Sequence, residues 1–350
     1  MTRYNHITLA LLLLFMPLTH IMASHPDGKN LYVQNCSVCH GDQGSGGVGV
    51  PLDLESFQNN VSDRYLFNSI KFGRPGRTMP AFESLLTDDD MKSIVQYIRH
   101  FSTGKALEFD QTPIKGNIKK GKEIYEDRCA SCHGDNGLGG RGTGVTLSRP
   151  RDLNIIAPAL NNAGFLKSAS DEMIKHTLMH GRDKTPMNSY LKQGLSESDI
   201  NNVVAYVRNF EKHLPKSTDY SKLDPIIQEE SPYSLEKTLD NLKKAVLGKN
   251  FRIIREQTVD DGLVAKKQQN KKQIILYFCN FKFLNESLAI DPRIGLFLPC
   301  RITVVQHGNT VKLMAINPLR LSKMFNNSEL DEACKSMTDL YTEIIEEATL

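Results

Sequence analysis

The strongest constraint on this 350-residue chain is a five-residue pattern that occurs twice: Cys36-Ser37-Val38-Cys39-His40 and Cys129-Ala130-Ser131-Cys132-His133. The surroundings repeat as well. Gly28-Lys29-Asn30-Leu31-Tyr32 precedes the first copy and Gly121-Lys122-Glu123-Ile124-Tyr125 the second, while Gly41-Asp42 and Gly134-Asp135 follow them. Further on, Gly73-Arg74 with Met79 and Phe82 is matched by Gly181-Arg182 with Met187 and Tyr190. Self-similarity on this scale marks repeated structural units and takes precedence over local propensity.

Each unit closes on an amphipathic helix. Thr87 leads into Met91, Ile94, Val95, Ile98 and Phe101, and Ser196 leads into Ile200, Val203, Val204, Val207 and Phe210. Apolar residues three and four apart line one face of a helix. Thr87 and Ser196 are the expected N-caps, each followed by acidic residues that suit the positive end of the helix dipole. A unit therefore reads as helix, Cys-x-x-Cys-His, glycine-rich loop, irregular middle, methionine loop and closing helix. Met79 lies 39 residues after His40, whereas Met187 lies 54 after His133. The extra residues fall around Thr143 to Pro158 and are expected to form a surface loop. The units span 26–105 and 114–213, with Gly104 and Pro113 to Gly116 marking a short linker.

Cys-x-x-Cys-His is the attachment signature of c-type haem. Two thiols add across the porphyrin vinyl groups, and the adjacent histidine is placed to bind iron. A zinc knuckle would need two more ligands at short spacing, and none lie nearby in the first unit; a thioredoxin-type pair would need a preceding strand and a βαβ context, which is also missing. The reading assigns covalent haem to Cys36, Cys39, Cys129 and Cys132, with His40 and His133 as proximal ligands and Met79 and Met187 as distal ones. A thioether is a soft ligand that favours ferrous iron and raises the reduction potential. Met173, Met179, His176 and His180 are rivals to Met187, and core filling is the bland role for any methionine. Tyr32, Tyr125, Arg74, Arg77 and Arg182 are candidates to pack on haem or pair with its propionates, with ordinary core or surface placement as the alternative.

With these motifs in view, both units resemble class I cytochrome c, and their tandem arrangement resembles the c4-type di-haem cytochromes. The second unit, with Arg151-Asp152-Leu153, Pro158-Ala159-Leu160 and Phe165-Leu166, is also similar to haem domains attached to larger respiratory enzymes. The resemblance covers residues 26–213. It implies all-helical domains, two covalent haem c groups with His–Met iron, and one-electron transfer.

The other segments set context. Arg3 and His6, an apolar run from Ile7 to Leu18, and small residues Ala23 and Ser24 follow the order of a secretory signal peptide over 1–24, with an uncleaved anchor as the competing reading. The mature chain is then expected to be periplasmic, without a transmembrane segment, and with peripheral membrane association left open. A net charge of +3 and the absence of a long Lys/Arg block give no reason to expect nucleic acid.

The last third changes character. Residues 214–231, polar and carrying Pro215 and Pro225, read as a linker. Beyond it, helices over Ser234 to Leu247, Phe281 to Ile290, Pro318 to Phe325 and Glu329 to Leu350 alternate with strands over Phe251 to Val259 and Gln273 to Phe278. A hairpin about Gly308-Asn309 joins Ile302 to Val305 and Thr310 to Ile316. The fold class is thus multidomain: two all-α cytochrome c domains followed by a small α+β domain over 232–350. Phe278-Cys279-Asn280, Leu298-Pro299-Cys300-Arg301-Ile302, the hairpin and Asn317-Pro318 resemble the family known as domain of unknown function 302, which implies no established chemistry. For Cys279 and Cys300 a disulfide, buried thiols, and binding of a metal or partner all stay open, while Cys334 reads as a small apolar core residue.

The leading functional expectation is an electron carrier working between a donor and an acceptor protein, rather than an enzyme with a substrate of its own. The alternatives are a di-haem oxidoreductase of peroxidase or sulfur-compound dehydrogenase type, and a redox sensor whose last domain binds a ligand or partner. An open or weakly held distal position would favour the enzyme.

Overall fold

The computed structural model describes residues 27–104, 106–140, 156–216 and 218–350. The expected signal peptide, most of the Thr143 to Pro158 insertion and Arg151-Asp152-Leu153 lie outside the described residues.

In the first unit, Asp27 accepts hydrogen bonds from the backbone of Lys29 and Asn30 and so starts α1 (Gly28–Asn35). The single turn α2 (Ser37–His40) follows, then α3 (Glu55–Gln58), α4 (Asp63–Phe72) and α5 (Asp88–Arg99). The second unit has the same order. Asn117 starts α6 (Ile118–Arg128), followed by α7 (Ala130–His133), α8 (Ala163–Ser168), α9 (Asp171–His180) and α10 (Glu197–Asn209). Thr87 and Ser196 cap α5 and α10 as expected, each in a capping box closed by Asp90 or Asp199. The apolar stripes are buried: Met91, Ile94, Val95 and Ile98 on α5, and Ile200, Val203, Val204 and Val207 on α10.

In each unit the first helix crosses the closing helix at a glycine. A Cβ on Gly28 would sit 2.1 Å from the Ser93 carbonyl oxygen, and one on Gly121 would sit 1.9 Å from that of Asn202. Only glycine lets the two backbones approach so closely. Above each crossing an aromatic trio fills the core. Tyr32, Tyr97 and Phe101 have ring centroids 5.1–5.3 Å apart, and Tyr125, Tyr206 and Phe210 have theirs 5.1–5.8 Å apart. Tyr32 and Tyr125 are fully buried core residues.

The third domain is an antiparallel sheet in the order β1-β5-β4-β3-β2, built from β1 (Ile226–Ser231), β2 (Arg252–Thr258), β3 (Gln273–Cys279), β4 (Cys300–His307) and β5 (Thr310–Ile316). Ile274, Leu276 and Phe278 alternate inward on β3, as do Ile302 and Val304 on β4. They meet Leu242 and Val246 of α11 (Leu235–Gly248) and Tyr341, Ile344 and Ile345 of α14 (Asp331–Thr349). Two further helices, α12 (Phe281–Ile290) and α13 (Pro318–Leu321), follow β3 and β5 in the chain. One expectation is corrected. Ile226–Ser231, read as linker, is the edge strand paired with β5. An edge strand buries little, and here only Ser231 is fully covered, so Gln228, Glu229 and Glu230 gave it the composition of a linker.

The helix crossings yield a stability prediction. Gly28→Ala and Gly121→Ala each force backbones apart and should destabilise their domain by about 1–3 kcal/mol, the usual cost of overpacking. Chemical denaturation of the haem-loaded protein checks this; wild-type midpoints for both variants would show that the crossings are looser than described.

Candidate functional site

Each Cys-x-x-Cys-His segment is held by the helix before it. The backbone N–H groups of Cys39 and His40 donate to the Cys36 carbonyl at 3.1 and 2.9 Å, and His133 donates to that of Cys129 at 2.9 Å. The turn ends at Gly41 and Gly134, both at φ +77, a conformation that costs glycine least. The Tyr32 hydroxyl donates to the Gly41 carbonyl at 2.7 Å, and Tyr125 donates to that of Gly134 at 2.9 Å. The buried aromatic trio therefore fixes the point at which each histidine leaves its helix.

The histidines are oriented from their far side. His40 Nδ1 lies 2.8 Å from the Val50 carbonyl oxygen, and His133 Nδ1 lies 3.0 Å from that of Pro158. A carbonyl only accepts, so Nδ1 carries the proton and Nε2 keeps the lone pair, as a metal-binding imidazole requires. Burial holds both imidazoles below the ordinary histidine range, against the opposing pull of the carbonyl bonds, and Arg182 lowers His133 further. Burial also pushes the Cys36 thiol up to about 12 and the Cys129 thiol to about 11. Such dry seats suit uncharged thioethers.

Between the two units lies a half-buried cation without a full set of partners. Arg182 stacks over the Phe57 ring at 5.5 Å, and its Nε is buried with no hydrogen-bond partner among the described residues. An orphaned donor beside His133 is what a haem propionate would satisfy. Arg74, by contrast, is engaged by the hydroxyls of Tyr65 at 3.1 Å and Ser69 at 2.8 Å, and Arg77 is ion-paired with Glu329.

The methionine loops close in the same way. Arg74 N–H donates to the Met79 carbonyl at 2.9 Å, and Arg182 N–H donates to that of Met187 at 2.6 Å. Tyr190, three residues beyond Met187, reaches the Cys-x-x-Cys-His segment, where its hydroxyl donates to the Arg128 carbonyl at 2.9 Å. Of the rivals to Met187, Met179 packs against the same core as Met187; the other three have different surroundings. Met173 is core, His176 stacks on Phe109 of the linker at 5.4 Å and on His180 at 4.4 Å, and His180 is exposed.

Three family descriptions match the chain. Residues 23–98 match the family described as cytochrome C oxidase, cbb3-type, subunit III, residues 118–211 match cytochrome c, and residues 227–348 match Domain of unknown function DUF302. Two cytochrome c-type domains precede a DUF302 domain. The chain carries two covalently bound c-type haems. It is similar to the Cbb3-type cytochrome c oxidase subunit CcoP of Azospirillum sp. (strain B510), 29% identical over 195 residues, which covers 52% of this chain and 60% of that one. It is also similar to subunit FixP of Azorhizobium caulinodans, 34% identical over 126 residues, covering 34% and 41%. The cytochrome–DUF302 chain thus spans about three fifths or less of these relatives' length. Among solved structures it matches an uncharacterized conserved DUF302 protein from Bacillus stearothermophilus, with a TM-score of 0.33 and 20% identity over 35% of this chain and 98% of that one. A Kuenenia stuttgartiensis reducing HAO-like protein complex matches with a TM-score of 0.37 and 23% identity over 53% and 96%. Among the described residues, no helix is long and apolar enough to cross a membrane.

In the DUF302 domain, Cys279, Cys300 and Cys334 are unpaired and line one apolar cavity of about 50 Å³ with Phe251, Met337 and Tyr341. The strands expected from the sequence end beside Cys279 and begin beside Cys300, but no spacing in the sequence joins Cys334 to them. The Val50 and Pro158 carbonyls are not marked in the sequence either, because a backbone acceptor has no residue-type signature.

Burial pushes Cys300 up to about 11 and Cys334 up to about 12. A raised folded value favours the neutral thiol in the folded state. The resulting stability is present below the ordinary thiol value and is lost as pH rises towards 11 to 12. At pH 8 alkylation by iodoacetamide should be slower than in denaturant by roughly a hundredfold at Cys300 and roughly a thousandfold at Cys334, since only the thiolate reacts. Mass spectrometry of a labelling time course measures this, and labelling at the denatured rate would contradict it.

Proposed function

We propose that this protein is a periplasmic electron carrier with two His–Met haems, exported on residues 1–24. In this reading Cys36 and Cys39 hold one haem and Cys129 and Cys132 the other, with His40 and Met79, and His133 and Met187, as axial ligands. The two cytochrome domains extend over 26–105 and 114–213. The observation that carries the reading is the matched pair of Nδ1–carbonyl hydrogen bonds, which present Nε2 of both histidines in the tautomer that binds iron.

Bound haem supplies reversible one-electron chemistry. The chain's part is to hold each ligand, exclude water and set the potential. The aromatic trios and the buried thiols of Cys36 and Cys129 keep the inner attachment bond of each haem dry. Methionine ligation at both sites would favour ferrous iron and leave no coordination position for a substrate, which argues for a carrier over a peroxidase or dehydrogenase. Arg182 would stabilise negative charge between the two sites. Donor and acceptor are expected to be redox proteins. The curated relatives are cbb3-type oxidase subunits by name, so a terminal oxidase of that kind is the first acceptor to test.

Two experiments bear on this. On a haem-stained denaturing gel, C36A/C39A and C129A/C132A should each keep half of the wild-type stain, and the fourfold variant none; full stain in either double variant would reject its attachment site. Near-infrared magnetic circular dichroism of the oxidised protein should show sulfur ligation at both irons. M79A and M187A should each lower one potential by a sizeable part of the roughly 0.8 V that axial ligands command. A bis-histidine signature at the second iron would instead assign His176 or His180 and reopen the enzyme reading.

A further inference from the structure

The loop from Gly73 to Met79 lies where all three domains meet. From the second domain, the Asn162 side chain donates to the Pro75 carbonyl at 2.8 Å, and Gly164 abuts Gly73, where a Cβ would sit 2.0 Å from the Gly73 oxygen. From the third domain comes the corner Asn326 to Glu329. Asn326 Nδ2 donates to the Met79 carbonyl at 2.8 Å and to the Arg74 carbonyl at 3.1 Å, and its Oδ1 accepts from Gly76 N–H at 3.0 Å. Ser328 donates to the Gly76 carbonyl from its backbone at 2.9 Å and from its hydroxyl at 3.0 Å, and Glu329 pairs with Arg77.

The corner is itself braced. Asn326 stands at φ +47, a left-handed conformation that asparagine tolerates better than most residues. Asp291, fully buried, accepts from Asn327 at 3.3 Å and from Arg293 at 2.7 Å, and Arg293 also donates to the Phe325 carbonyl at 2.5 Å. The loop needs such a brace. Thr78, β-branched and immediately before Met79, has φ +43, a conformation that persists only where surrounding contacts impose it. Among the described residues the third domain bonds to this methionine loop and not to its counterpart, Gly181 to Met187. The bonds of that counterpart run to its own backbone and Thr185, and to Ser56 of the first domain.

We propose that the DUF302 domain is a ligand clamp for the first haem. Asn326, supported by Ser328 and Glu329, is a positioning residue that holds the Met79 loop closed and sets how firmly Met79 binds that iron, leaving the second haem untouched. The inference rests on the reading of Met79 as a ligand. Any release of Met79 that swings the loop away must break the bonds of its carbonyl to Arg74 N–H and Asn326 Nδ2 together, so the clamp opposes that route of ligand loss through the backbone, at no contact with the iron itself.

The test uses the full di-haem protein. In the ferrous state an iron-bound methionine methyl is shifted far upfield by the porphyrin ring current, so proton NMR should show two such signals, assigned with M79A and M187A. Asn326→Gly removes the side chain and tolerates the left-handed backbone. It should shift or weaken only the M79A-assigned signal, lower only that haem's potential, and raise the equilibrium constant for Met79 loss by about tenfold, the scale of one or two hydrogen bonds. Asn326→Asp is the second variant. It turns the two donors into an anion facing the Met79 and Arg74 carbonyls, and should shift the same signal further, with the M187A-assigned signal in place as the check on folding. Both signals and both potentials unchanged in the two variants would overturn the clamp while leaving the ligand reading intact. A wild-type spectrum with no signal that M79A removes would overturn the ligand reading, and the clamp with it.

Discussion

A buried backbone polar group must find a partner, since leaving one unsatisfied costs about as much as several favourable contacts return. The segment from Gly73 to Met79 is irregular, half-buried and enclosed by two other domains, so its carbonyls and N–H groups cannot all turn to water. Asn162, Asn326 and Ser328 supply the partners, and Arg77 adds a carbonyl contact to Gly140 as well as its ion pair with Glu329. The arrangement of the three domains follows from this accounting. The second and third domains each dock on the first domain's methionine loop by completing hydrogen bonds that the loop cannot make internally.

The two cytochrome domains solve the same local problem by the same means. A glycine crossing brings the first and last helices together, an aromatic trio seals the crossing, a tyrosine hydroxyl pins the turn after the histidine, and a loop carbonyl orients the ring. Their differences lie at the periphery. Cys39 is partly covered and feels Arg293 and Asp291 of the third domain, whereas Cys132 is exposed. Two sites alike within are therefore presented unequally to their surroundings, a condition for two haems of one design to act differently.

Much of this was legible in the chain. The helical period of Met91 to Ile98 and Ile200 to Val207, the caps at Thr87 and Ser196, and the hairpin at Gly308-Asn309 are local signals, and local physics decided them. The edge strand Ile226–Ser231 has the look of a linker in the sequence because one exposed face and one neighbour leave almost no hydrophobic alternation. The gathering of Cys334 with Cys279 and Cys300 depends on how a helix lies across two strand ends, which no spacing encodes.

By itself, the sequence determined the attachment chemistry and the repeated helical frame, because a fixed two-residue spacer and a helical period act within a few residues. Only the tertiary structure decided which groups complete each site. Val50 and Pro158 act through backbone carbonyls that any residue would carry. Asn326 meets Gly76 across 250 residues, and in the sequence Asn326-Asn327-Ser328 signals a turn without naming what the turn will touch. Long-range hydrogen bonds are chosen by the geometry of three folded domains, and that geometry exists only once each has buried its own core.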